Sequence, residues 1–248
     1  MSRQAVLGFD RKLDLEWLEV AAAKAADGAE PSEIKNHMLE QLQTLSYDNQ
    51  ASGSARAKTV RVILRIWGGV DPALRPIHGR ALDLLPTVAA EERFALHWAM
   101  TCAAYPFFSD HAALIDNLLT LHDRVTTNQI TRRIADRWGD RSTVFRTSRH
   151  VVRTMVAWGA IRDSGKGAYS RGMQPVAVSD AVGRILLESI LLDAEQDALP
   201  LQQAGKHPAL FPFNFEVDVG MLRGADQFRI YRQGLDADFV ALAESETI

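Results

Sequence analysis

The chain has 248 residues, 47% of them apolar and 24% charged, with a formal net charge of −3, an ordinary globular composition with material for one large core or two small ones. No apolar run reaches the roughly 18 to 20 residues of a membrane span, and Met1 to Asp10 lacks the apolar centre of a signal peptide. The single cysteine, Cys102, has no disulfide partner and sits in an apolar run as a small core residue; a soluble, cytoplasmic protein is expected.

The first hundred residues read as helices joined by short polar turns. Leu15, Leu18, Ala22 and Ala25 form one face of a first helix that ends near Asp27-Gly28. Pro31-Ser32 opens a second, in which Ile34, Met38, Leu42 and Leu45 recur every three or four residues and Glu33 lies in the first turn, where the helix dipole favours negative charge. A polar loop over Asp48 to Gly53 follows. Ser54 can cap a third helix to Trp67, with Val60, Ile63, Leu64 and Trp67 inward and Arg56, Lys58, Arg61 and Arg65 outward, until Gly68-Gly69 stops it. Two further helices are predicted over Pro72 to Leu85 and Ala89 to Ala104, with Pro86 between them and Tyr105-Pro106 ending the second.

Ser109-Asp110 begins a helix carrying Leu114, Ile115, Leu118 and Leu119. Beyond it, Thr127 can cap a helix whose Ile130, Ile134 and Trp138 recur at intervals of four and point inward, leaving Arg132, Arg133 and Arg137 outside. Gly139-Asp140 makes a turn into a second helix, Ser142 to Trp158, whose core side carries Val144, Val151, Val152, Met155 and Val156. Its other face holds Arg146, Arg149, His150 and Arg153, one continuous stripe flanked by Thr143, Thr147 and Ser148. Ala160-Ile161-Arg162 and Ala168 to Arg171 then read as a hairpin around the glycine-rich tip Asp163 to Gly167, which carries Lys166.

Ser179-Asp180 starts another apolar helix through Ile185, Leu186, Ile190 and Leu191, ending in the acidic Asp193 to Asp197. In the tail, Phe211, Phe213, Phe215, Val217 and Val219 alternate with polar residues or proline, and Gln227 to Gln233 can pair back on them across Arg223 to Asp226 as a C-terminal hairpin. Ala243 to Ile248 are expected to fray. The expected organisation is mainly α: a small helical N-terminal domain (11–105), a winged helix-turn-helix with its following helix (109–193), and a C-terminal extension (205–248).

Charge distribution separates the middle part from the rest. From Asp123 to Arg171 there are eleven basic and four acidic residues, a local charge of +7, against −10 over the remainder. Ten of the eleven are arginine, whose fork suits phosphate oxygens and guanine edges. An arginine stripe on the second helix of a helix-turn-helix is what entry into the major groove requires, whereas the narrow RNA groove excludes a helix. The candidate DNA contacts are Arg132, Arg133, Arg137, Arg141, Thr143, Arg146, Thr147, Arg149, His150, Arg153, Lys166 and Arg171, with double-stranded DNA as partner and no catalysis, cofactor or metal.

Two other readings stay open. The stripe is also compatible with a solvated helix face on a protein-binding adaptor or a transcriptional regulator, because winged helices serve as protein-binding units as well. Glu216 and Asp218 would share one face of a strand and could hold a nuclease metal, although no lysine follows at the usual position. The seven histidines are scattered without metal-ligand spacing.

The order of parts resembles the BrxA-like proteins of bacterial phage-exclusion (BREX) defence systems. The resemblance rests on Leu15-Glu-Trp-Leu18, the Ser54 to Trp67 helix, Trp98 to Phe108, and Thr147 to Ile161 with its hairpin, and it spans roughly Leu13 to Leu192. It implies a helical domain similar to the NusB fold joined to winged-helix elements, a non-enzymatic role in antiviral defence alongside other defence proteins, and DNA contacts at Arg146, Arg149 and Arg153. The tail from His207 has no counterpart in it.

Overall fold

The computed structural model describes residues 7–43, 55–193, 198–233 and 237–243. The loop expected over Asp48 to Gly53, the Ser54 cap, Leu45, the acidic run after Asp193 and the terminal residues after Ala243 lie outside these. The fold is mainly α, as expected. Among the described residues up to Ala104 there are five α-helices: α1 (Leu15–Ala26), α2 (Pro31–Gln41), α3 (Ala55–Trp67), α4 (Arg75–Leu84) and α5 (Ala90–Ala104). Helix α2 opens on a capping box, with the Glu33 side chain accepting from the Glu30 amide at 3.0 Å. Pro72–Leu74 forms a 3₁₀ turn before α4, so the predicted helix from Pro72 is broken at its start.

Helix α6 (Pro106–Leu121) begins three residues earlier than expected. Pro106 not only ends α5 but occupies the first position of α6, where a missing amide hydrogen costs nothing and the fixed φ is already helical. There follow β1 (Val125–Thr126), α7 (Thr127–Trp138), α8 (Ser142–Ala157), β2 (Ile161–Asp163) and β3 (Ala168–Arg171). The cap of α7 is Thr126, not Thr127, and it shares a capping box with Gln129. These three strands form one antiparallel sheet in the order β1-β3-β2, with Val125 opposite Tyr169 and Ile161 opposite Arg171.

The remaining chain forms β4 (Val176–Ala177), α9 (Asp180–Leu191), β5 (Ala198–Pro200), α10 (Leu201–Ala204), β6 (Phe213–Asn214), α11 (Val219–Leu222), β7 (Phe228–Gln233) and β8 (Ala237–Leu242). The C-terminal hairpin differs from the expected one: β7 pairs with β8, Ile230 opposite Val240, and not with residues 211–219. Only Phe213 and Asn214 of that stretch are in a strand, parallel to β4. Pro212 has no amide hydrogen for a ladder, and Phe211 and Phe213 are drawn into the core.

That core is continuous from Phe9 to Val240. At its centre the fully buried Trp98 stands 5.0 Å from Phe108, 6.0 Å from Trp158 and 5.9 Å from Phe213, ring centre to ring centre, and its Nε1 donates to Ala209 O at 2.9 Å. Cys102 lies in the same core, where burial pushes its thiol up and keeps it protonated.

Candidate nucleic-acid interface

Helix α8 forms because its apolar residues recur on one side. Val144, Val151 and Met155 are fully buried, each contributing roughly 1.5–3 kcal/mol by leaving water. Its flanks are fixed by buried hydrogen bonds. On the α6 side, His111 donates from Nδ1 to Phe107 O at 2.7 Å and accepts at Nε2 from Ser148 Oγ at 2.8 Å. Burial, only partly opposed by the Phe107 bond, pushes His111 down to about 4 and leaves it neutral, as this donor-and-acceptor role requires. On the other flank, Thr154 Oγ1 accepts the Leu13 amide at 3.0 Å from an extended N-terminal segment.

The face left open carries Arg146, Arg149 and Arg153, all exposed, along roughly 10 Å of helix axis. His150 is half-buried beside them, and its Nδ1 has no hydrogen-bond partner. Its pKa is lowered by burial first and then by Arg11, with Arg153 and Arg146 adding and Asp10 opposing. Thr143 is exposed one turn before Arg146. Thr147 departs from the expectation: its side chain is buried, on the same side of the helix as the buried Thr154 seven residues on.

The other candidates divide into two groups. Arg132, Arg133 and Lys166 are exposed and, like Arg146, Arg149 and Arg153, form no ion pair among the described residues. Arg137, Arg141 and Arg171 are engaged within the fold. Arg137 Nε lies 2.7 Å from Asp110 Oδ2, which also accepts from Trp138 Nε1 at 2.7 Å. Arg141 Nη2 donates to Trp138 O at 3.1 Å. Arg171 pairs with Asp116 at 2.9 Å and lies 5.2 Å over the Phe211 ring, turned toward α6.

Lys166 stands at the tip of the β2–β3 hairpin between Gly165 and Gly167, and all three residues have positive φ, at 54° for the lysine. The tip is anchored: Gly167 O accepts from the Thr127 amide at 2.8 Å and from Thr127 Oγ1 at 3.1 Å. Between this anchor and α8 lies a cleft of about 290 Å³. Thr127, Thr131 and Tyr169 line it with Arg149 and Arg153. None of these three hydroxyl residues was among the candidate contacts, Thr127 having been read only as a helix cap, although a threonine at the start of a helix behind an arginine stripe is a readable signal.

Glu216 and Asp218 do not share a strand face, because the strand is not formed; Asp218 caps α11, its Oδ1 accepting the Met221 amide at 2.7 Å. Among the described residues, no group of three or more His, Cys, Asp or Glu side chains could hold a metal, and no helix is long and apolar enough to cross a membrane. Set against known protein families, curated proteins and solved structures, the chain finds no match in any of the three. What fold and site define is therefore a class: a mainly α protein presenting a cationic helix beside an anchored hairpin.

Proposed function

We propose that residues 106–171 form a winged helix and that the protein binds duplex DNA through α8 without catalysing a reaction. The observation that carries this reading is the row Arg146, Arg149 and Arg153, exposed and without acidic partners among the described residues. Like charges on one helix face cost stability unless something answers them, and the phosphates lining a major groove do so. The order α6-β1-α7-α8-β2-β3, with β3 central in the sheet, supports the same reading, since it sets a hairpin beside the second helix of a helix-turn-helix. Arg132, Arg133 and Lys166 then hold phosphates on either side of the groove. The reading accords with what the resemblance to BrxA-like proteins implies: a DNA-binding component of a bacterial antiviral system whose NusB-like helices α1 to α5 meet protein partners.

The test is duplex binding by fluorescence anisotropy at two salt concentrations, comparing wild type with Arg146→Ala/Arg149→Ala/Arg153→Ala. Both must first give the same far-ultraviolet circular dichroism. Wild type should bind with strong salt dependence, and the triple variant should lose about 100-fold in affinity or more. Folded wild type that binds no duplex would replace this reading with the protein-binding one.

A further inference from the structure

The segment 7–14 carries no helix, yet it is fixed on both sides. Phe9 is fully buried, edge-on to Tyr105 at 5.2 Å and tilted against Phe108 at 5.6 Å. Leu13 is fully buried as well, and its amide bonds to α8 at Thr154. Between these two anchors Lys12 pairs with Asp14 of the segment itself at 2.7 Å and Arg11 Nη1 donates to Asp10 O at 2.6 Å, while the charges of Asp10 and Arg11 approach two helices. Asp10 Oδ2 lies 3.8 Å from Arg61 Nη2 of α3, and Arg11 is near enough to His150 of α8 for its charge to lower that imidazole. Arg65, one turn beyond Arg61, lies 5.3 Å over the ring of Tyr105, whose hydroxyl also feels Asp10 and Arg61.

Arg146 and Arg153 of α8, Arg11 of the segment, and Arg61 and Arg65 of α3 therefore belong to one neighbourhood. Asp10 is the acid that faces both His150 and the α3 arginines. Its single carboxylate cannot neutralise five guanidinium groups, and its contact with Arg61 is long for an ion pair. Arg61 in particular keeps 68% of its side chain exposed. Of the α3 cations read from the sequence as a solvated helix face, Arg61 thus continues the cationic surface of α8, whereas Arg65 is half-buried, its Nε donating to Ala104 O at 3.3 Å.

We propose that the DNA path extends from α8 across the N-terminal segment onto α3, with Arg11 and Arg61 contacting phosphates outside the groove that α8 enters. The inference rests on the reading of α8 as the groove helix. A duplex carries about one charge per 1.7 Å of axis, so a surface continued past the groove meets further phosphates as the duplex lengthens. Base edges are not in question on α3, and its contacts add affinity and salt dependence with little sequence preference.

The experiment measures anisotropy on 10- and 24-base-pair duplexes over a salt series, with wild type, Arg11→Ala/Arg61→Ala, Asp10→Asn and the α8 triple variant. The double variant should lose about tenfold in affinity for the longer duplex. Its log–log salt slope should shrink by about 2, two phosphate contacts fewer, with a smaller loss on the short duplex. Asp10→Asn removes the carboxylate that faces Arg61 and should tighten binding several-fold, a gain that damage to the fold cannot produce. Unchanged affinity and slope in the double variant, or no gain in Asp10→Asn, overturns the extension while leaving α8 as the groove helix. Full binding by the α8 triple variant instead overturns the reading beneath it.

Discussion

At the scale of single residues, the arginines of α8 are presented by groups that never touch solvent. His111 is the clearest of these: it spans from the Phe107 carbonyl to the Ser148 hydroxyl and works only as the neutral ring. Its pKa falls from 6.5 to about 4 on folding, through burial. A depressed histidine contributes stability that is complete above the unfolded value and is lost as pH falls from 6.5 toward 4. Between pH 7 and pH 5 this one group should cost the wild type about 2 kcal/mol. His111→Gln keeps a donor and an acceptor but cannot titrate, so it should be less stable at pH 7 and lose about 2 kcal/mol less than wild type over the same interval. Urea unfolding at the two pH values measures the difference, and equal losses in both proteins would contradict the assignment.

At the scale of elements, the β2–β3 hairpin allows stability and the proposed binding to be separated at one position. Lys166 at φ 54° pays the left-handed strain of a residue with a Cβ, about 1 kcal/mol, while its ammonium is the hairpin tip's cation. Lys166→Gly should leave thermal stability unchanged or slightly raised, yet weaken duplex binding and lower the salt slope by about 1; a calorimetric scan beside the anisotropy titration reads both. The hairpin was legible in the sequence because glycines bracket its tip, and α7 and α8 were legible because isoleucines and valines recur at helical spacing. Strand β1 was not, since two residues, Val125 and Thr126, cannot display alternation. The start of α6 was hidden by Pro106, which reads equally as a stop and as a first helical residue. In the tail, alternation of Phe211 to Val219 looked like a strand but reflects aromatic side chains reaching the core around Pro212. Of the candidate site, the shared exposed face of the α8 arginines was readable from spacing alone. The approach of Arg11 was not, because it depends on a segment whose only apolar marks are Leu7, Phe9 and Leu13, and the burial of Thr147 was not, because a threonine beside the stripe reads equally as a surface donor.

At the scale of the whole molecule, helices far apart in sequence are joined by an ion pair as well as by the ring cluster at Trp98. Arg80 of α4 pairs through both Nε and Nη2 with the carboxylate of Glu188 on α9, which is only 5% exposed. Burial raises the Glu188 pKa and Arg80 opposes that rise. Arg80→Met would leave a carboxylate buried without its partner. The expected loss at pH 7 is about 2–3 kcal/mol, below the 3–5 kcal/mol of a fully enclosed pair because Arg80 is itself about a third exposed. A carboxyl whose folded pKa is raised gains stability as pH falls, so without Arg80 the protonated Glu188 becomes the favoured native form. The deficit of Arg80→Met relative to wild type should therefore shrink from pH 7 to pH 5, and Arg80→Met/Glu188→Leu should recover most of it at either pH. Because Trp98 joins rings from α5, α6, the end of α8 and β6 in one core, tryptophan fluorescence and far-ultraviolet circular dichroism should report the same midpoint in every variant. A pH-independent deficit would mean that Arg80 acts through packing of its stem and not through the charge of Glu188.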